Sequence, residues 1–543
     1  MTTRLVVLLS ALVLLAGDPP VAAHEDTLHL LQARLAAAQG IGLASVGAEP
    51  SCRLTLEVVD SRTQRPVSGL LRVLRADGVA LALDGLYNRG LSLEVNALMR
   101  GWHVIHGRAS ISVPRERLVV ESFSGLETEL VRRELELGES EMLTVKLELK
   151  RFFDTRATGL RGANTHLHLK RLSREESDRY LREVTRGDAL DLLFVSHLER
   201  YGDDHTYITN DYSADDLHKL SGDGALFGNG EEHRHNFGAF GEGYGHVMLL
   251  NLKKLIQPVS IGPGLTNEGH DGIPLRRGIR TAHRDGATAI FCHSAMGLED
   301  VPDWVGGLLD AHNIFDGDVN GTYEGVFYRF LNIGLKVPFS TGTDWFIYDF
   351  SRVYVPVEGE LTAGKWLRSL REGKSFITNG TFLELAVDHQ GVGGTVTLSG
   401  PGKVTVRAKG IGRHEFKLIE LVQNGLVVAT ARSRGVDGHF VAELKTELPL
   451  DGPAWLALRI PCGGENELGE ALFAHTSPVY IEVAGESSVF LPDAARSLIV
   501  DMRDSMAIIA EKGKFETDKD RADILAIYED GICTLERRLA NSE

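Results

Sequence analysis

Between residues 166 and 312, short apolar runs repeatedly abut a histidine. The run 192–195 leads into Ser196 and His197, 247–252 follows His246, and 287–291 is followed by Cys292 and His293. Runs this short, rich in β-favouring residues, have the length of buried strands. The region is therefore expected to be a set of strands with imidazoles at their ends, an α/β barrel-like site. Twelve of the chain's 20 histidines fall in it, and such clustering suggests a shared metal.

The spacing inside the motifs sharpens that expectation. In NTHLHL, His166 and His168 are two residues apart. On a strand both side chains leave the same face, whereas on a helix they diverge by about 200°. Neutral imidazoles donate lone pairs to a divalent cation without adding charge. In GNGEEHRHN, Glu231 and Glu232 stand beside His233 and His235, and the chain runs on to His246 at the head of an apolar strand. A carboxylate has two oxygens and can bridge two metals, so Glu232 and His246 are the preferred pair. AIFCHS adds His293, and FSTGTDWF adds Asp344. Each motif alone also has an ordinary reading: solvated histidines, a hydrated Glu/His loop, a core imidazole, a turn aspartate. Their ordered recurrence favours a centre.

The remaining sequence sets the frame. A length of 543 residues allows about three domains of roughly 150 residues each. Arg4, the apolar run 5–16 and the small residues at 21–23 form a secretory signal pattern. Cleavage near Ala23 would give a periplasmic or secreted chain with no transmembrane domain. A leading helix is expected within 24–48, with short strands at 52–60, 70–75 and 144–150. Helices are expected near 174–186, 301–312 and 361–371. Further strands follow Thr381, and a short helical tail follows Ala494. The resulting divisions are 1–23, a β-rich 24–157, a central 158–388, a β-rich 389–490 and a tail at 491–543. A formal charge of -17 disfavours a nucleic-acid surface. Four dispersed cysteines make neither a redox pair nor a four-cysteine zinc knot. No GxSxG elbow, Walker loop or convincing dinucleotide fingerprint is present.

Taken in order, NTHLHL, LLFVSHLE, NGEEHRHN, GYGHVMLLNL, AIFCHSAMG and STGTDWF resemble the polymerase and histidinol phosphatase (PHP) superfamily. The similarity is to its exported or multidomain branch of carbaryl-hydrolase and microcin-processing relatives (CehA/McbA-like), and it covers roughly residues 158–388. The resemblance implies a distorted (βα)7 barrel between N- and C-terminal β-sandwich-like domains. It places metal ligands at His166, His168, Glu232, His246, His293 and Asp344, and puts His197 after the second barrel strand. Relatives commonly carry an aspartate at position 196 and a histidine at 346; here these are Ser196 and Phe346. Both departures fall where a third metal would sit, so one or two ions are expected, with Asp203, Asp204 or His205 as conceivable substitutes.

A bound Zn²⁺, Mn²⁺ or Fe²⁺ can polarise a carbonyl or phosphoryl oxygen and acidify water. His197 is the leading candidate for positioning or proton transfer, with His233 and His235 behind it. Arg234, His270 and His283 could orient an anionic substrate but have ordinary polar readings as well. The expectation is a metal-dependent hydrolase of a small ester, amide, carbamate or phosphoester. The alternative is a non-catalytic extracytoplasmic binding protein that keeps a degenerate barrel.

Overall fold

The structure, a computed structural model, describes residues 50–542 except 92–96, 200–206, 223, 238–242, 266–268, 295–296, 318–320 and 487. The expected signal segment, the helix within 24–48, and Asp203, Asp204 and His205 lie outside the described residues. Among those described, no helix is long and apolar enough to cross a membrane. The chain is a mixed α/β protein built on several sheets.

The first part is β-rich because its strands alternate. Ser51–Asp60 buries Cys52, Leu54, Leu56 and Val58 on one face, the period that a pleated strand imposes. It lies between Arg108–Pro114 and Met142–Leu149 in a three-stranded sheet, and a five-stranded sheet centred on Ser68–Arg75 shares the same core through Leu71 and Val73. Beyond residue 380 the chain returns to β structure. A five-stranded sheet around Gly402–Gly412 packs through Val404 and Val406 against Leu421, Leu456 and Leu458 of neighbouring strands.

Between them the strand run that carries the histidines begins with β1 (Leu160–His168), β2 (Leu192–His197), β3 (Leu226–His235) and β4 (Gly245–Leu250). It continues with β5 (Thr288–Cys292), β6 (Ala311–Asn313), β7 (Phe339–Ser340) and β8 (Asp344–Trp345). β1, β2 and β3 pair in parallel, β4 runs antiparallel to both β3 and β5, and β5, β6 and β7 are again parallel. β8 returns to pair with β1, Asp344 opposite Leu167, and these strands belong to a larger closed set that also takes in Arg352–Pro356, Phe376–Thr378 and strands beyond residue 390. β4 and β5 are buried along their whole length, so they read as continuous apolar runs rather than alternating ones.

Helices fill the crossovers. α1 (Arg174–Gly187) starts on a capping box in which Ser173 and Glu176 satisfy each other's backbone N–H, two of the donors a helix start leaves open. α2 (Ala214–Leu220) repeats the device with Ser213 and Asp216. The helix expected at 301–312 is corrected: α3 (Asp300–Val305) is short and Gly307, at φ 66°, ends it. The chain then forms β6, because a left-handed residue cannot continue a right-handed helix. The tail consists of two helices, α4 (Pro492–Lys512) and α5 (Asp518–Ser542), which bury Met502, Ile509, Tyr528 and Leu535 in the large central core.

One buried ion pair ties the β-rich start of the chain to the central strands. Arg89, fully buried, forks onto Asp188 at 2.9 and 2.6 Å and donates to the Ile347 carbonyl at 2.7 Å. Asp188 caps α1, and Ile347 also donates its N–H to the Tyr180 hydroxyl of α1 at 2.7 Å. The loop after β8 is thereby held from two sides, three residues from Asp344. Removing one partner of such a pair strands a buried charge. Arg89→Ala is expected to cost about 3–5 kcal/mol in chemical denaturation; a loss below about 1 kcal/mol would show that Asp188 is compensated elsewhere.

Candidate metal centre

Strand alternation delivers the first two groups. His166 and His168 leave the same face of β1, and their Nε2 atoms stand 2.9 Å apart. His168 Nδ1 lies 2.9 Å from the Ser196 carbonyl oxygen, which can only accept, so that nitrogen carries the proton. His166 Nδ1 likewise donates to Asp316 Oδ2 at 2.8 Å. A neutral imidazole has one ring proton, and both are thus committed on the outer side. Both Nε2 atoms point inward at each other, where they share a proton while no other cation is present and offer lone pairs to one that is.

Two carboxylates complete the enclosure. Glu232 Oε2 is 2.9 Å from His168 Nε2 and 3.7 Å from His166 Nε2. Asp344 Oδ1 is 3.4 and 3.7 Å from His166 and His168 Nε2. A tetrahedral zinc with ligands at about 2.1 Å requires ligand–ligand edges of about 3.4 Å, and the measured edges of 2.9 to 3.7 Å bracket that value. Four acceptors around one point repel unless a cation lies among them. The donor set fits a divalent metal.

A second group adjoins the first through the same carboxylates. Glu232 Oε1 turns to His246 Nδ1 at 2.9 Å and His293 Nε2 at 3.8 Å, while Asp344 Oδ2 reaches His293 Nε2 at 3.9 Å. Glu232, His246 and His293 each offer a donor atom within 4.8 Å of the others. His246 Nε2, His293 Nδ1 and Asp344 Oδ1 are buried without a hydrogen-bond partner, which is costly for polar atoms unless something else meets them. Gly317, at φ 68°, leaves the space: a Cβ there would stand 2.8 Å from Asp344 Oδ2 and 2.9 Å from His293 Nδ1. His166 and His168 are sealed, whereas the Asp344, His246 and His293 side chains keep 11, 9 and 6 % of their surface. Solvent reaches the centre from that second side.

The electrostatics call for positive charge. Burial raises the Glu232 carboxyl, but Arg234 and hydrogen bonds from His166, His168 and His246 outweigh it and hold the group well below the usual range. Burial lowers His166, yet Asp316 and Asp344 drive it well above the ordinary imidazole value. Burial also lowers His293, and Cys292 and Asp316 reverse that. Burial and then the Arg234 charge push His246 down to about 3, against the pull of Glu232; it is the neutral, lone-pair form that a ligand position needs. Burial raises Asp344 despite His166 and His293. Three carboxylates, Glu232, Asp316 and Asp344, thus face inward and draw protons onto histidines wherever no other cation balances them.

The structure brings His166, His168, Glu232, His246, His293 and Asp344 together, and it places the other three candidates elsewhere. His197 ends β2 beside Glu199, 3.2 Å away, and stays partly exposed. His233 and His235 are corrected: on β3 they share a face with Glu231, opposite to Glu232 and Arg234, because successive side chains alternate. His233 is bonded to Glu231 at 2.9 Å and His235 to Asp271 at 2.8 Å, both fully buried. His235 also accepts from the Tyr244 N–H, and Asp271 accepts from the Lys514 N–H. Both are buried pairs, and the His235–Asp271 pair anchors the tail at Lys514.

Two contributors were not anticipated. Asp316 orients His166 and lies 3.6 Å from His293 Nδ1, and Cys292 joins the same cluster. The only sequence signal for Asp316 is its place just after the short strand β6. Of the two departures, Ser196 supplies the carbonyl that fixes His168, and Phe346 is buried edge-on to Tyr180 at 5.5 Å. Four non-glycine residues near the centre, Ser294, Phe315, Asp344 and Phe346, take φ between 50 and 59°, a region that side chains disfavour and that concentrates at functional sites.

No family model, no curated protein and no solved structure matches the chain.

Carboxylates that fix the far nitrogen of a ligating histidine govern metal affinity. Asp316→Asn is expected to weaken zinc binding by about 10- to 100-fold in a chelator competition titration, with far-ultraviolet circular dichroism unchanged. Wild-type affinity in the variant would deny Asp316 this role.

Proposed function

We propose that the chain is a metal-dependent hydrolase with a PHP-type (βα) barrel, exported after removal of its leader, acting on a small ester, amide, carbamate or phosphoester. The observation that carries this reading is the convergence, from five strands, of two imidazole Nε2 atoms and two bridging carboxylates on one point with a second histidine pair beside it. One or two divalent ions suit the donors. Mixed imidazole and carboxylate ligation fits Zn²⁺ or Mn²⁺ best and admits Fe²⁺. When bound, such an ion supplies Lewis acidity, polarising the scissile carbonyl or phosphoryl group and lowering the pKa of water from about 15.7 towards 7.

The chain's own residues do the remaining work. Asp316 and the Ser196 carbonyl hold the β1 histidines in the tautomer that presents Nε2, so no reorganisation accompanies ligation. Glu232 and Asp344 each turn one oxygen to either side, which keeps two subsites at a fixed separation. The partial exposure of Asp344, His246 and His293 sets where substrate and water enter. For His197, partly exposed at the end of β2 and paired with Glu199 at 3.2 Å, the proposed role is to pass protons between the site and solvent.

Ser196 and Phe346 motivate the second reading, a binding protein with an incomplete centre. Phe346 fills its position with packed hydrocarbon against Tyr180, so the third-metal donor of the resemblance is replaced by core.

One assay separates the two. The purified protein, its metals quantified and then reconstituted with Zn²⁺, Mn²⁺ or Fe²⁺, is presented with phosphoester, carboxyl-ester and carbamate panels. Metal-dependent turnover is expected, reduced by at least about 1000-fold in His168→Ala and Asp344→Asn. Metal bound with no turnover on any panel would favour the binding protein, and unchanged turnover in both variants would remove those residues from the mechanism.

A further inference from the structure

Six arginines in the described chain are nearly or fully buried: Arg89, Arg234, Arg276, Arg352, Arg413 and Arg459. Five of them meet an oxygen at hydrogen-bond distance, as burial demands. Arg89 reaches Asp188 at 2.6 Å, Arg276 reaches Asp303 at 2.8 Å, and Arg352 reaches the Asp188 carbonyl at 2.9 Å. Arg413 reaches the Thr128 carbonyl at 2.5 Å, and Arg459 reaches Glu420 at 2.7 Å. Arg234 is the exception. Among the described residues its ion-pair partner is Glu232, at 3.7 Å, and its Nε is buried with no hydrogen-bond partner.

That guanidinium stands at the proposed centre. Arg234 follows Glu232 by two residues on β3, so both leave the same face, and it lies opposite His246 in the β3–β4 register. The Glu232 oxygen it approaches is the one turned to His246 at 2.9 Å, so this carboxylate is already shared. Arg234 therefore holds a fork of donors beside the second subsite, the side on which Asp344, His246 and His293 meet solvent, with no oxygen of the described residues in bonding range. A buried charge left in that state is expensive unless a ligand completes it, and a planar fork of N–H groups matches a carboxylate or phosphate edge.

The geometry points to Arg234 as the anion-binding residue of this centre: the substrate carries an oxyanion, a carboxylate or a phosphate-type group, which the guanidinium grips while the adjoining bond is cut. This inference rests on the hydrolase reading for its second half only, since the anion site stands on the arginine and its surroundings. It narrows the substrate from any small ester, amide, carbamate or phosphoester to an anionic one.

The test uses the metal-loaded protein and two probes, inorganic phosphate and acetate, titrated calorimetrically into wild type, Arg234→Gln and Arg234→Lys at matched metal content. Saturable binding of at least one anion is expected, weakened by about tenfold or more in Arg234→Gln and partly restored in Arg234→Lys. Which anion saturates more tightly identifies the source of the oxyanion. Binding in Arg234→Gln within about twofold of wild type would overturn the proposal, as would failure of both anions to saturate wild type. If the glutamine variant does not fold or hold metal, a wild-type measurement decides: the bound anion should protect Arg234 from phenylglyoxal in peptide mass spectrometry, and equal modification with and without it overturns the assignment. Arg234-dependent anion binding without turnover would leave this site standing and remove the hydrolase, whereas metal-dependent turnover with Arg234-independent anion binding would do the reverse.

Discussion

Two imidazole nitrogens facing each other at 2.9 Å, each ring's proton already given away on its far side, are the constraint on which the centre depends. With both rings neutral the facing lone pairs repel, and the neighbouring carboxylates draw a proton into the gap unless another cation fills it. The fold nevertheless holds them there, through a carbonyl at the end of β2 and a carboxylate after β6. The structure spends packing and strained backbone to maintain an arrangement that only a cation makes favourable. Such expenditure is characteristic of a preorganised site.

The surrounding architecture serves that placement. β1 carries both histidines because a strand repeats every two residues, and β8 pairs with β1 so that Asp344 lies next to Leu167, between the two histidines on that strand. The β8 loop, with Asp344 and Phe346 at positive φ, is held by Tyr180 of α1 and by Arg89 from the β-rich start of the chain. Stability and site geometry are coupled through this contact, which brings sequence-distant parts to within a few residues of a ligand. On the other side Asp271, held by His235 and by the Tyr244 hydroxyl, accepts from the Lys514 N–H between the two tail helices.

Much of the site was legible because strand periodicity is a local rule. NTHLHL declares its shared face without further information, and apolar runs beside His246 and His293 announce strand ends. The same rule, applied to EEHRH, separates Glu232 and Arg234 from Glu231, His233 and His235. His233 and His235, candidates for proton transfer by their nearness to Glu232 in sequence, therefore fall on the opposite face of the strand from it. Asp316 escaped for a different reason: β6 is three residues long, too short to leave a periodic signature, and it was absorbed into a helix that Gly307 in fact terminates. The role of Ser196 was also hidden, since its contribution is a backbone carbonyl and any side chain there would offer the same oxygen. Strand positions in the flanking β regions followed the alternation closely, as at Ser51–Asp60 and Gly402–Gly412, whereas which strands pair is a long-range matter that local pattern does not encode.

The central claim is that the two Nε2 atoms of β1 and the Glu232 and Asp344 carboxylates ligate one metal. X-ray absorption at the zinc edge of the zinc-loaded chain tests it most directly. The account predicts a first shell of nitrogen and oxygen at about 2.0–2.1 Å with the outer-shell scattering of imidazole rings, part of which disappears in His168→Ala. A shell of oxygen alone with no imidazole signature, or a spectrum unaltered by that substitution, would contradict it.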